Sequence, residues 1–231
     1  VGSVDGTNGI TTSAGDVTVS SDGLLSINQD IASTNGNVSL SGEGIAQAAS
    51  TNVNAGSGTI AIDAGAGAAQ FNTGTLTTTN SGASAVTIQN ATTVALGNIN
   101  ASSGTLTLGV GADITGAVTQ NATTAIDVAI LTGSTANSIN LSLSNSVPVL
   151  SAFTSNGAFT LNDVVSLSIT GAVSTGGNAI TLTSTTGSIT DSGAGALSGS
   201  LLTTSSVTGT VLDGANTVSS FNATNTTSGN V

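Results

Sequence analysis

The sequence predicts an all-β chain wound as a parallel β-helix of about ten rungs, each holding three short strands in roughly 20–22 residues. Three observations carry the prediction. A motif G-x-Φ-x-Φ, with Φ aliphatic, returns at a near-constant interval. Inside the motif, apolar and polar residues alternate with the period of a strand. The composition also lacks the bulky side chains of a globular core: among 231 residues there are four Phe, no Trp, Tyr, Met or Cys, and 31 Gly.

The motif reads GDVTV at Gly15, GNVSL at Gly36, GTIAI at Gly58, GTLTL at Gly104 and GAFTL at Gly157. Variants are SAVTI at Ser84, TAIDV at Thr124, NAITL at Asn178 and GSLLT at Gly199. The first apolar positions are Val17, Val38, Ile60, Val86, Leu106, Ile126, Phe159, Ile180 and Leu201, with a weaker copy at Phe221. They are expected to stack as one inward core ladder. Most successive members are separated by nearly the same stretch of chain; the steps from Ile60 to Val86 and from Ile126 to Phe159 are longer. A second strand signal follows a few positions after the first, as GLLSI at Gly23, GIAQA at Gly44, ADITG at Ala112 and GSITD at Gly187. A third appears as DIAST at Asp30, TNVNA at Thr51, GNINA at Gly97 and GAVST at Gly171.

One such period cannot bury its apolar face alone, but stacked periods can, because each strand pairs with its equivalent in the next coil. Aliphatic residues fill the narrow interior, Gly serves the corners, and Thr and Ser face water. An antiparallel sandwich also gives short, regular strands, but it does not demand the same residue at the same phase in every period. The whole chain, 1–231, therefore reads as a single β-helix domain. The long step after Ile60 predicts a longer rung near 60–85. The longest step, from Ile126 to Phe159, holds the only proline, Pro148, and the run SINLSL, Ser138–Leu143. It predicts an insertion protruding from the rod within 126–158.

Charge excludes several functions. There are eleven carboxylates and no Lys, Arg or His, giving a net charge of -11. Nothing here neutralises phosphate, so nucleic acid is not an expected partner, and an anionic membrane surface is disfavoured for the same reason. No apolar run reaches the roughly 18–20 residues of a spanning helix. No basic region precedes an apolar stretch as in a signal peptide. The chain opens on Val1 and reads as a processed protein or a segment of a longer one. Without His, Cys or Lys there is no nucleophile–base pair of the usual kinds and no ordinary zinc site, so no enzyme is expected.

Calcium needs only oxygen ligands. Asp22 and Glu43 each stand at the same offset after a ladder residue, Val17 and Val38, and each precedes a Gly, so they are expected side by side on successive rungs. Asp191 and Asp213 occupy nearly matching phases after Ile180 and Leu201. These four are the candidate calcium ligands; the alternative is solvated turn carboxylates accepting backbone N–H bonds. No other cofactor is expected. A threonine array of the kind that binds ice would run through the phase Thr18, Ser39, Ala61, Thr87, Thr107, Asp127, Thr160, Thr181, Leu202, where it is interrupted.

The stretches GNINASSGTLTLGVGADITG and GNVSLSGEGIAQAASTNVNAGSGTIAI resemble the repeats of filamentous-haemagglutinin-type exoproteins, the adhesins of two-partner secretion and related autotransporters. The resemblance covers the chain from about Gly15 to Phe221. It implies a right-handed parallel β-helix shaft, export across a bacterial outer membrane, and adhesion or a surface-fibre role. The secretion domain of such proteins is not recognisable, so the resemblance implies shaft alone or a relative that assembles from similar rods. The expected function is an extracellular structural rod on a bacterial surface, as adhesin shaft or filament subunit. The expected partner is another copy, head-to-tail or side-by-side, with a host or neighbouring cell surface as a further candidate. The alternatives are a module binding glycan or a host protein through the 126–158 excursion, and a surface-layer lattice protein.

Overall fold

The computed structural model describes residues 3–4 and 7–231, with side chains from Gly9 onward. Residues 1, 2, 5 and 6 of the expected domain lie outside the described residues. Every regular element described is a strand. Apart from a short antiparallel pair, Ser3–Val4 with Thr7–Asn8, the strands form a parallel β-solenoid of about ten turns.

Three columns of inward residues run along the axis. The first joins Val17, Val38, Ile60, Val86 and Leu106. It continues through Leu131, Leu150, Ile169, Asp191 and Leu212. The second joins Leu25, Ile45, Ala69, Val94 and Val118. It goes on through Ile139, Phe159, Ile180, Leu202 and Phe221. The third joins Ile10, Ile31, Val53, Leu76, Ile99 and Ile126. Asp127 then bridges to Ser146, which sets Ile126 beside Asn145, and the column proceeds to Asp163 and Ser184.

The expected single ladder is therefore three pieces of different columns. Val17, Val38, Ile60, Val86 and Leu106 do stack. Ile126 belongs to the third column, while Phe159 and Ile180 belong to the second. Leu201 points outward at 39% exposure, and its neighbour Leu202, 1% exposed, is the core residue. The physical reason is that all three strands carry the same Φ-x-Φ alternation, so spacing alone cannot say which strand of a rung a copy represents. The residue following Leu106 in its column is Leu131, not Ile126. GSITD, expected as a second strand, likewise sits in the first column, with Ile169 opposite Asp191.

The same slip accounts for the expected insertion. The strands Ile126–Thr135, Ile139–Asn145 and Val149–Ser155 all pair in the rod, so 126–158 is solenoid wall and not a protrusion. Its rungs are in fact short: the steps from Ile126 to Asn145 and from Asn145 to Asp163 are the shortest in the third column. The long rung from Ile60 to Val86 spends its extra length on an exposed loop around Asn80–Ser84.

Polar side chains stitch the rungs together, and this is where the Ser, Thr and Asn content goes. Asp16 Oδ1 accepts the Asn37 N–H at 2.8 Å, and Asn37 Oδ1 accepts the Thr59 N–H at 2.9 Å. Asp30 Oδ1 accepts the Asn52 N–H at 2.8 Å in the same manner. At the buried corners, hydroxyls close the turns. Thr135, Ser155 and Thr175 donate to the carbonyls of Asn137, Gly157 and Asn178. The donating residues Thr135, Ser155 and Thr175 are buried, and a buried hydroxyl left without a partner would cost on the order of 1–3 kcal/mol, so each is placed where a turn carbonyl accepts from it.

Candidate functional site

The acidic corner near the first rungs gathers Asp22, Glu43 and Asp63 around one open groove of about 420 Å³, with Ser20, Ser41 and Gly65. The three carboxylates come from consecutive rungs, because Ser20 pairs with Ser41 and Ser41 with Asp63. Asp22 and Glu43 are thus brought together as the spacing suggests. Asp63 is a third carboxylate that spacing does not single out.

Asp63 is already engaged within the fold. Its Oδ1 accepts the Gly65 N–H at 3.0 Å, and its Oδ2 accepts the side-chain amides of Asn90 at 2.9 Å and Gln89 at 3.3 Å. Desolvation pushes its pKa up, but the Gly65, Asn90 and Gln89 donors outweigh it and hold the carboxyl below its ordinary value. Among the described residues no three acidic side chains come close enough to hold a metal ion. Asp63 braces the corner at Gly65, and Asp22 and Glu43 line the groove beside it.

Asp191 and Asp213 are not brought into register. Asp191 faces Leu212 across the strands, so Asp213 lies one residue out of phase and alternates to the outside, where it is exposed. Asp191 is buried in the first column, and its Oδ1 accepts the Gly214 N–H at 2.7 Å. Its Oδ2 is buried without a hydrogen-bond partner.

A second cleft, of about 330 Å³, lies over Gly65, Ala66, Asn90, Ala91, Asp113 and Thr115. Ala66 and Asn90 in its wall hold positive φ angles of 65° and 53°. Asp113 Oδ1 accepts the Val110 N–H at 2.8 Å, so this carboxylate too closes a local turn.

Two polar residues that spacing misses stand inside the rod. Asn145 is fully buried at the point where the third column turns polar. Its Oδ1 accepts the Ile126 N–H at 3.0 Å and the Gln120 amide at 2.7 Å, and its amide donates to the carbonyls of Leu141, Leu143 and Asn162. Asp163 follows it one rung later, also fully buried. The signal is present in the sequence: in FTLND the alternation that turns Phe159 and Leu161 inward turns Asp163 inward as well.

The outer phase beside the second column reads Ser26, Ala46, Gln70, Ala95, Thr119, Asn140, Thr160, Thr181, Thr203, Asn222. Asp127 and Leu202 fall outside it, yet Ala, Gln and Asn still break the hydroxyl array. At the far end the strand Thr217–Asn225 pairs, among the described residues, only with Ala196–Ser206, and Phe221 is left 47% exposed. Among the described residues no helix is long and apolar enough to cross a membrane. No known protein family, curated protein or solved structure matches the chain.

Proposed function

We propose that the chain is a non-enzymatic structural rod of a bacterial surface, working outside the cell as an adhesin shaft or as the subunit of a filament or sheath. The observation that carries this reading is the unbroken parallel ladder, in which each rung is held by main-chain bonds to the rungs on either side. Such a ladder transmits load along its axis and can be lengthened by adding rungs. The uncharged Ser, Thr and Asn side chains of its outer faces give other proteins little to bind. The strand Thr217–Asn225 presents unpaired backbone groups on one edge and Phe221 beside them, a surface suited to a further rung. A heterologous contact there, repeated, builds an open fibre. The resemblance to filamentous-haemagglutinin-type repeats supports the same reading, and self-association is the partner it favours.

A binding module remains the second reading, but with 126–158 inside the wall it would act through a lateral face and not through a projecting loop. Negative-stain electron microscopy of the purified protein over a concentration series tests the proposal. Ten rungs at a strand spacing of roughly 4.8 Å give a rod on the order of 45–50 Å long. The expected result is thin filaments that lengthen with concentration, or isolated rods of that length if the chain serves as shaft. Globular particles with no long axis would overturn it.

A further inference from the structure

The described interior holds a carboxylate that nothing in this chain can neutralise. Asp163 is fully buried in the third column, between Asn145 and Ser184. Its Oδ1 accepts the N–H groups of Val147 at 3.1 Å, from the preceding rung, and of Val165 at 3.2 Å, on its own rung. Its Oδ2 is buried and has no hydrogen-bond partner.

The surroundings offer no charge of either sign. The strands that pair with Phe159–Asp163 are Ile139–Asn145 and Ile180–Ser184; neither contains an ionisable residue, nor do Val149–Ser155 and Leu167–Ile169. The nearest carboxylates along the stack are Asp127, half-buried two rungs earlier, and Asp191, at the end of the strand that pairs with Leu167–Ile169. The whole sequence lacks Lys, Arg and His, so no conformational adjustment can supply a counter-ion.

Two hydrogen bonds on one oxygen do not replace the hydration of a full charge. A proton on Oδ2 removes that charge while leaving Oδ1 free to hold the corner.

We propose that Asp163 makes the middle of the rod an acid-strengthened joint, which takes up a proton in mildly acid solution and is weakened when that proton leaves toward neutral pH. Burial pushes its carboxyl up to about 6, and the N–H groups of Val147, Val165 and Val164 pull it only part of the way back. The folded state therefore binds the proton more tightly than the unfolded chain, whose reference value is 3.8. The stabilisation is complete below the unfolded value and is lost as pH rises through about 6. This is opposite to the usual behaviour of a hydrogen-bonded surface Asp, and opposite to Asp63 in this chain.

The test is thermal unfolding at pH 4 and pH 7.5 for the wild type, Asp163→Asn and the exposed Asp213→Asn. Relief of general repulsion among the carboxylates also favours acid, so the readout is the difference between variants. The pH-dependent gain in Tm should be larger in the wild type than in Asp163→Asn by about 5–10 °C. Asp213→Asn should behave as wild type. Carbon-13 NMR titration of the Asp163 carboxyl in the wild type covers the case in which Asp163→Asn does not fold. A midpoint near 6 supports the proposal; a midpoint near 4, or an unchanged pH response in a folded Asp163→Asn, overturns it.

Discussion

Leu202→Ala should destabilise the rod by about 2–5 kcal/mol, whereas Leu201→Ala should stay within about 0.5 kcal/mol of wild type. The two residues are adjacent and chemically identical. Leu202 is 1% exposed and stacks between Ile180 and Phe221 in the second column; Leu201 is 39% exposed on the outer face. Truncating Leu202 leaves a void that parallel neighbours locked by main-chain bonds cannot close. Chemical denaturation of both variants, fitted alongside the wild type, measures the difference. The order of the two effects is what matters, since the regular motif interval would place Leu201 in the core instead.

The second large effect concerns the glycine that opens the repeat. Gly36→Ala should cost about 3 kcal/mol or more, while Gly15→Ala should be nearly neutral. The motif glycines Gly15, Gly36 and Gly58 stand above one another at the same corner. A Cβ on Gly36 would lie 2.2 Å from the Gly15 carbonyl oxygen, and a Cβ on Gly58 would lie 2.2 Å from that of Gly36. Those contacts are with backbone, which is itself held in the ladder and has no rotamer to change. A Cβ on Gly15 would meet nothing within 4 Å. The G of G-x-Φ-x-Φ is thus fixed by the close approach of one rung to the next, and not chiefly by φ. Comparing the denaturation midpoints of the two alanine variants checks it.

Reading the sequence alone recovers the architecture because the forces that set it are periodic. Val17, Val38, Ile60, Val86 and Leu106 come out in the right column, since counting one motif lands on the same strand each time; even the long rung from Ile60 to Val86 keeps its extra residues in the exposed loop around Asn80–Ser84 and returns to that strand. From Ile126 onward the count fails. The first-column residue after Leu106 is Leu131, preceded by the third-column strand in one continuous stretch, Ile126–Thr135, with no turn residue to mark the corner between them. Two strands with the same alternation then look like one. The apparent long interval from Ile126 to Phe159 is the sum of that slip and a change of face.

The candidate site is legible only in part. Asp22 and Glu43 fall in rungs whose lengths are regular, and they do share a groove. Asp191 and Asp213 lie beyond the slip, and one residue of phase error in a strand turns a side chain from outside to inside. Asp163 escapes a sequence reading for a different reason. Carboxylates are so seldom buried without a partner that the expectation of Asp in turns overrides the alternation in FTLND, which turns it inward. Asn145 and Asp163 stand where the third column stops being aliphatic and the rungs are at their shortest. A tighter corner has backbone N–H groups turned inward, and a side chain that accepts hydrogen bonds is what that position requires.

Cysteine cross-linking tests the central claim, the stacking of these rungs in this register, most directly, because the chain has no cysteine of its own. Asn140 and Thr160 face each other on adjacent parallel strands, with their side chains on the outer face. Adjacent strands are about 4.8 Å apart, within the Cα range that a disulfide spans. Asn140→Cys with Thr160→Cys should therefore oxidise to an intramolecular disulfide. Asp127→Cys with Thr160→Cys, the pair that an uninterrupted motif ladder would place together, should remain two free thiols. A disulfide in the second pair and none in the first would contradict the account.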